Sequence, residues 1–159
     1  MAAVQVEFAD TRLTRLGFAL ADATRLMRAA FDHRMRSIGL RGSGWRVLAY
    51  LYRKDGLSQT ELARLLEVTR AAVGQTVDQL EASGHVIRRS DRGDARRWLV
   101  HLHPECRAKM SDMFDVVRGF ENDLCDVFSD RELEQLYGLV ERLRDRASAI
   151  APIRPAKEP

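Results

Sequence analysis

The feature that most constrains this chain is a pair of short helices with separate caps, followed by two short strands around an arginine-rich loop. Ser58-Gln59-Thr60-Glu61 is a capping box. The serine oxygen accepts from the third helical amide, and the glutamate reaches back to the serine N–H. The helix it opens carries Leu62, Leu65 and Leu66. Val68-Thr69 interrupts, and Thr69 caps the next helix, which turns Val73, Val77 and Leu80 inward and stops at Ser83-Gly84. The apolar period then falls from about 3.6 residues to about 2. Val86-Ile87 begins a strand, Asp91 to Arg97 is a polar loop, and Trp98, Val100 and Leu102 alternate with Leu99 and His101 in a second strand.

Helices flank this centre. Thr11 to Ile38 lacks proline and carries Leu13, Leu16, Leu20, Met27, Ala30 and Phe31 as one stripe, with Asp10 or Thr11 as cap and Gly39 as stop. Ser43 is expected to open a second helix with Trp45, Val47, Leu48, Leu51 and Tyr52, ending before Asp55-Gly56. Pro104 marks the start of another, where Met110, Met113, Val117, Phe120, Leu124 and Val127 recur at three-then-four spacing. A second capping box, Ser129-Asp130-Arg131-Glu132, opens the last, with Leu133, Leu136, Val140, Leu143, Ala147 and Ile150 at the same spacing. These last two stripes want a partner surface, and the chain supplies little beyond its first helix.

Composition excludes several classes. The chain has 159 residues, 45% hydrophobic and 31% charged, enough for one packed domain with helical extensions. No stretch approaches the roughly 18 apolar residues of a membrane span, and the first residues lack the basic and apolar regions of an export signal. Cys106 and Cys125 are too few for a disulfide framework, so reduced thiols in a cytoplasm are expected. Net charge is only +3, yet five arginines (Arg88, Arg89, Arg92, Arg96, Arg97) lie between His85 and His101, opposed by Asp91 and Asp94. Residues 152–159 hold three of the four prolines and are expected to be a disordered tail.

A helix pair followed by a basic hairpin is a winged helix-turn-helix. The fold class expected is therefore mainly α with a small β-hairpin wing. Its second helix suits a major groove, because its outward positions Thr69, Arg70, Ala71, Gln75, Thr76 and Gln79 are small or hydrogen-bonding. Gln75 suits adenine, and Arg70 suits guanine or phosphate. The hairpin tip would set Arg92, Arg96 and Arg97 beside the backbone or in a minor groove. Asp78 faces outward on the same helix and would repel phosphate, so pairing with a wing arginine is expected.

At these residues the chain resembles the MarR (multiple antibiotic resistance regulator) family. The resemblance rests on Trp45-Arg46-Val47-Leu48, Leu57-Ser58-Gln59-Thr60-Glu61-Leu62-Ala63, Val77-Asp78-Gln79-Leu80-Glu81-Ala82-Ser83-Gly84 and Asp91-Arg92-Gly93-Asp94-Ala95-Arg96-Arg97. Their order and spacing cover residues 11 to 150. The resemblance implies a homodimer on a pseudo-palindromic double-stranded DNA operator, often released by a small aromatic or phenolic effector. Asp94-Ala95-Arg96 matches the family's Asp-x-Arg, in which the arginine reaches the minor groove and the aspartate steadies the loop. Ser58, Thr69, Arg70 and Gln75 match positions that face DNA. Residues 11–38 and 103–150 match the dimerisation region, and 43–102 the reading head. His33 near Trp45 either lines an effector pocket or is a core histidine bonded to backbone. The chain departs from the pattern at Arg92, where proline is common, at His85, and at His103-Pro104-Glu105-Cys106.

Other classes fit less well. An enzyme would need a nucleophile with its base, a phosphate loop or a complete metal set, and none is visible. His101, His103 and Cys106 lack a fourth zinc ligand, so neither a metal nor a cofactor is called for. Cys106 near a helix start suggests an oxidant sensor or an ordinary packed thiol, with the packed thiol as default. A helical protein-interaction module remains the alternative, but it has no need of five arginines on one hairpin.

Overall fold

The structure, a computed structural model, describes residues 12–91, 93–94 and 97–150. The expected caps Asp10 and Thr11, the wing residues Arg92 and Arg96, and the tail 152–159 lie outside the described residues. Seven helices and three strands follow in the order α1 (Arg12–Arg36), α2 (Gly42–Arg53), β1 (Leu57–Ser58), α3 (Gln59–Leu66), α4 (Arg70–Ala82), β2 (Val86–Ser90), β3 (Trp98–Leu102), α5 (Pro104–Ala108), α6 (Met110–Cys125) and α7 (Asp130–Ile150) among the described residues. They fall into two compact units, one running to Val117 and the other from Arg118. No described helix is long and apolar enough to cross a membrane.

The core lies wholly in the first unit. Leu48, Leu51, Leu62, Val73, Val77 and Val100 are all buried there, with Met35, Met110 and Met113 closing it. Each such side chain contributes about 1.5–3 kcal/mol relative to exposure. Trp45 meets Phe114 edge-on at 5.0 Å between ring centroids, the favoured arrangement for two aromatic quadrupoles.

The wing is more than a hairpin. β3 lies in the middle of a three-stranded antiparallel sheet in the order β1-β3-β2. Leu57 pairs with Val100 and Ser58 with Leu99, while β2 runs in register from Val86–Leu102 to Ser90–Trp98. The extra strand, β1, is too short for its own alternation to show in sequence. Its partner creates it.

Three helix boundaries differ from expectation, and α1 ends two residues early at Arg36. α2 begins at Gly42 rather than with Ser43 as its cap. Its N-cap, Arg41, makes no side-chain cap bond; instead Asp32 of α1 accepts from the Gly42 N–H at 2.6 Å. That approach needs glycine, since a Cβ at position 42 would meet the same Asp32 oxygen at 2.8 Å and Phe31 Cδ1 at 2.9 Å. The single helix expected from Pro104 is divided at Lys109, whose N–H bonds back to Cys106 O at 3.0 Å and so tightens one turn.

The two capping boxes form as expected. In the second, the Ser129 N–H donates to Glu132 at 2.8 Å and the Glu132 N–H to Ser129 Oγ at 3.4 Å. α7, which this box opens, has no buried residue.

Candidate nucleic-acid interface

The helix-turn-helix is held at three places. Ser58 Oγ accepts from the Glu61 N–H at 3.2 Å, and Glu61 accepts from the Ser58 N–H at 2.8 Å, which fixes the start of α3. At its other end, α2 satisfies the terminal carbonyls. Arg46 donates to Leu66 O and the Tyr50 hydroxyl to Leu65 O, each at 3.1 Å. The cationic Arg46 also suits the negative end of the helix dipole. Glu67 then takes the left-handed conformation, at φ 55°, that lets the chain turn into α4. Thr69 caps α4 by accepting from the Ala72 N–H at 3.2 Å.

Arg88 ties the wing to the recognition helix. Its guanidinium reaches Asp78 at 2.5 Å and also forms an ion pair with Glu81, while its N–H donates to Glu81 at 3.1 Å. The expected pairing of Asp78 with a wing arginine is thus made by Arg88. Both carboxylates raise the Arg88 pKa despite the opposing effect of desolvation.

The wing loop closes on itself and on α3. Asp91 N–H donates to Arg97 O at 2.8 Å, Arg97 N–H donates to Asp94 O at 2.9 Å, and the Asp91 carboxylate accepts from the Gly93 N–H at 2.9 Å. The Arg97 side chain turns back to Glu61 at 2.7 Å, with Asp91 at 3.8 Å. Glu61 therefore serves a cap and an ion pair together. Hydrogen bonds from the Ser58 hydroxyl and N–H lower its pKa from 4.5 to about 2; burial opposes them, and Arg97 adds a lesser lowering.

A cleft of about 930 Å³ opens between the start of α3, α4 and the wing. Arg64 and Arg70 line it, and among the described residues neither is paired with a carboxylate. Thr69, the cap of α4, and Arg70 and Gln75 on the helix are exposed. Thr76 is half-buried, and its hydroxyl donates to Ala72 O at 3.0 Å. Ser58 is only 9% exposed and its hydroxyl donates to Glu61 at 2.6 Å, so it is occupied with the cap. Arg97 is likewise engaged within the protein. Asp94 contributes its carbonyl to the loop.

Of the two readings of His33, the core histidine is not what the structure shows. Trp45 is 7% exposed, in the core, while His33 lies on the exposed side of α1. Nor is Cys106 poised to sense oxidants: it is buried, and desolvation pushes its thiol pKa up. No group of three or more His, Cys, Asp or Glu suited to a metal occurs among the described residues.

Sequence reasoning missed Arg64 and Trp98. Arg64 sits on the outward side of an amphipathic helix, a position that reads as mere solvation until α4 is set beside it. Trp98 shares a strand face with Val100 and Leu102, so alternation groups it with core residues. It nonetheless lines the cleft and is 57% exposed.

Residues 38–97, from the turn before α2 through the wing, match the model of the MarR family. Among solved structures, a probable transcriptional regulator from Pseudomonas aeruginosa is 30% identical, with 80% of this chain and 96% of that chain covered at a TM-score of 0.73. The transcriptional regulator BldR from Sulfolobus solfataricus is 27% identical, with coverages of 83% and 94% and a TM-score of 0.70. MepR of S. aureus, in a crystal structure of its DNA complex, shares the fold at 22% identity, with coverages of 82% and 96% and a TM-score of 0.71. The helix pair, the sheet and the flanking helices thus recur together across nearly the full length of these relatives, and the chain belongs to the MarR family of winged helix regulators.

Proposed function

We propose that this chain is a DNA-binding transcriptional repressor that acts as a homodimer on a pseudo-palindromic operator and responds to a small aromatic or phenolic ligand. The observation that carries the reading is the exposed polar side of α4 beside two arginines, Arg64 and Arg70, that no carboxylate neutralises among the described residues. Charge that is unpaired at a concave face is available to phosphate, and a small-residue helix beside it fits a major groove. MepR, a relative in fold, has been crystallised with DNA. Thr69, Arg70, Gln75 and Thr76 would face the groove. Ser58 would act through the start of α3, and Arg92, Arg96 and Arg97 through the wing. Asp78 and Asp94 would support the wing.

The homodimer is supported by apolar residues left exposed on α7 (Leu136, Tyr137, Leu139 and Val140) and on α1 (Leu13, Leu16 and Phe18). A monomer seldom leaves such stripes to water.

A mobility-shift titration against fragments selected from random duplex DNA tests the reading. Affinity should fall steeply with salt, and Arg70→Ala should reduce the slope of log affinity against log salt by about 1. Arg96→Ala should weaken operator binding and leave the oligomeric state unchanged. Absence of duplex binding at low salt would sink the proposal. A thermal-shift screen of phenols and aromatic carboxylates tests the ligand response, because a ligand specific for the native state raises the midpoint.

A further inference from the structure

We infer that Trp98 is a further DNA-contacting residue, whose indole packs against the deoxyribose–phosphate chain at the rim of the α3–α4–wing cleft. The inference rests on the DNA-binding reading above and adds a contact that charge alone does not suggest.

Trp98 is the first residue of β3, paired with Ser90 across the hairpin. It lies on the same strand face as Val100 and Leu102, both buried. The sheet, however, reaches beyond the core. β1 pairs with β3 only at Val100 and Leu99, so Trp98 lies one residue past the last β1 partner, level with the start of α3. There it remains 57% exposed, whereas the only other tryptophan, Trp45, is 7% exposed. Tryptophan, an apolar body with one N–H donor, is enriched at interfaces, and this one is held open to water on a rigid strand.

Its surroundings identify the occupant. The same cleft is lined by Gln59 and Thr60 in the first turn of α3 and by Arg64 and Arg70. Glu61, Arg88 and Arg97 also line it but are engaged with one another's partners: Arg97 with Glu61, and Arg88 with Asp78 and Glu81. The cleft's four arginines outnumber its three carboxylates, Glu61, Glu81 and Asp94, so its lining is cationic overall. A polyanion with apolar sugar faces between its charges satisfies both features: the arginines take phosphate, and the indole takes the sugar face and can donate its N–H. A protein partner with an acidic surface would satisfy the arginines but would leave no reason for DNA to shield the indole.

The test uses the intact protein and its intrinsic fluorescence. Saturation with selected duplex DNA should shield Trp98 from acrylamide, cutting the quenching constant by about half or more, and Trp98→Phe should remove most of that change because Trp45 is already shielded. Trp98→Ala should weaken binding about tenfold with an unchanged salt slope, as expected of a contact that neutralises no phosphate. Trp98→Phe, which keeps a flat apolar ring, should retain most of the affinity and serves as the control for folding. Wild-type protein that binds duplex while Trp98 remains fully quenchable would overturn the inference and leave the DNA-binding reading standing. So would a folded Trp98→Ala protein of unchanged affinity. Wild-type protein that binds no duplex would overturn both.

Discussion

Arg97, at the end of the wing loop, donates to Glu61, the glutamate of the α3 capping box, at 2.7 Å, so one carboxylate joins the wing to the start of the helix-turn-helix. The pair spans 36 residues of sequence. It makes the position of the wing depend on a group whose first task is local.

Replacing Glu61 by alanine should therefore act twice. Loss of the cap partner should lower stability by about 1 kcal/mol, the usual scale for capping. Loss of the ion pair should free the wing, seen as faster amide exchange at Asp91 and Arg97 than in an α7 control such as Glu132→Ala. Acid should mimic the substitution. The folded-state pKa of Glu61 is lowered from 4.5 to about 2, so its contribution is present above pH about 4.5 and is lost as pH falls towards 2. Urea midpoints measured between pH 6 and pH 2 should show this loss in the wild type and much less of it in Glu61→Gln. Identical pH profiles for the two proteins would refute the role.

Arg88 binds two carboxylates of the protein and is largely covered, yet its removal should weaken DNA binding. It neutralises Asp78 and Glu81, both on the helix proposed to enter the groove. With Arg88→Ala, two unneutralised carboxylates would face phosphate, and like charges across an interface oppose binding. A loss of about tenfold is expected, largest at low salt, where screening is weakest. Asp78→Asn added to Arg88→Ala should recover part of it. Failure of that second change to recover any affinity would mean that Arg88 acts only by holding β2 in place.

Gly56 has φ +73°, and a Cβ there would meet His101 Cε1 at 2.9 Å. His101 and the Leu102 N–H both bond to Asp55, at 3.0 Å and 2.9 Å, so the turn before β1 is fastened to the end of β3. Gly56→Ala should then cost more than about 1 kcal/mol, since left-handed backbone strain and steric displacement of His101 add. Gly138→Ala on α7, where nothing lies within 4 Å, should be neutral or stabilising. Equal melting temperatures for the two variants would contradict this account.

What the sequence made legible was whatever is settled within a turn or two of the chain. Ser58 with Glu61, Thr69, Gly84, and Ser129 with Glu132 announce their helices because a cap and its amide are neighbours. Arrangements made by distant partners were not legible. β1 is two residues long and exists through its pairing with β3. α2 takes its N-terminal acceptor from Asp32, ten residues back in another helix. The wing arginines read alike as a basic cluster, although Arg88 and Arg97 are held by carboxylates on α4 and α3. Trp98 was legible as a strand residue but not as an exposed one, because alternation identifies a face and not where the core beneath it ends.

The last prediction concerns assembly. On α7, Leu136, Val140 and Leu143 follow at spacings of four and three, which places them on one side of the helix, and each is at least 40% exposed. No residue of α7 is buried among the described residues. If that side meets a second copy, placing charge on it should be costly, because an unpaired carboxylate would have to lose its water in the interface. Leu136→Glu with Val140→Glu should give monomers in sedimentation while the helix content and the buried core of residues 35–113 remain intact. DNA binding should fall with dimerisation, by much more than any single wing substitution causes. Two reading heads joined in one particle engage half-sites about one helical turn apart, and the second engagement is intramolecular. Severing the dimer removes that advantage without altering a single contact to DNA. Affinity for an isolated half-site should accordingly stay near the wild-type value, and only binding to the full operator should collapse. A double variant that sediments as a dimer, or a monomer that holds the full operator as tightly as wild type, would refute the α7 interface.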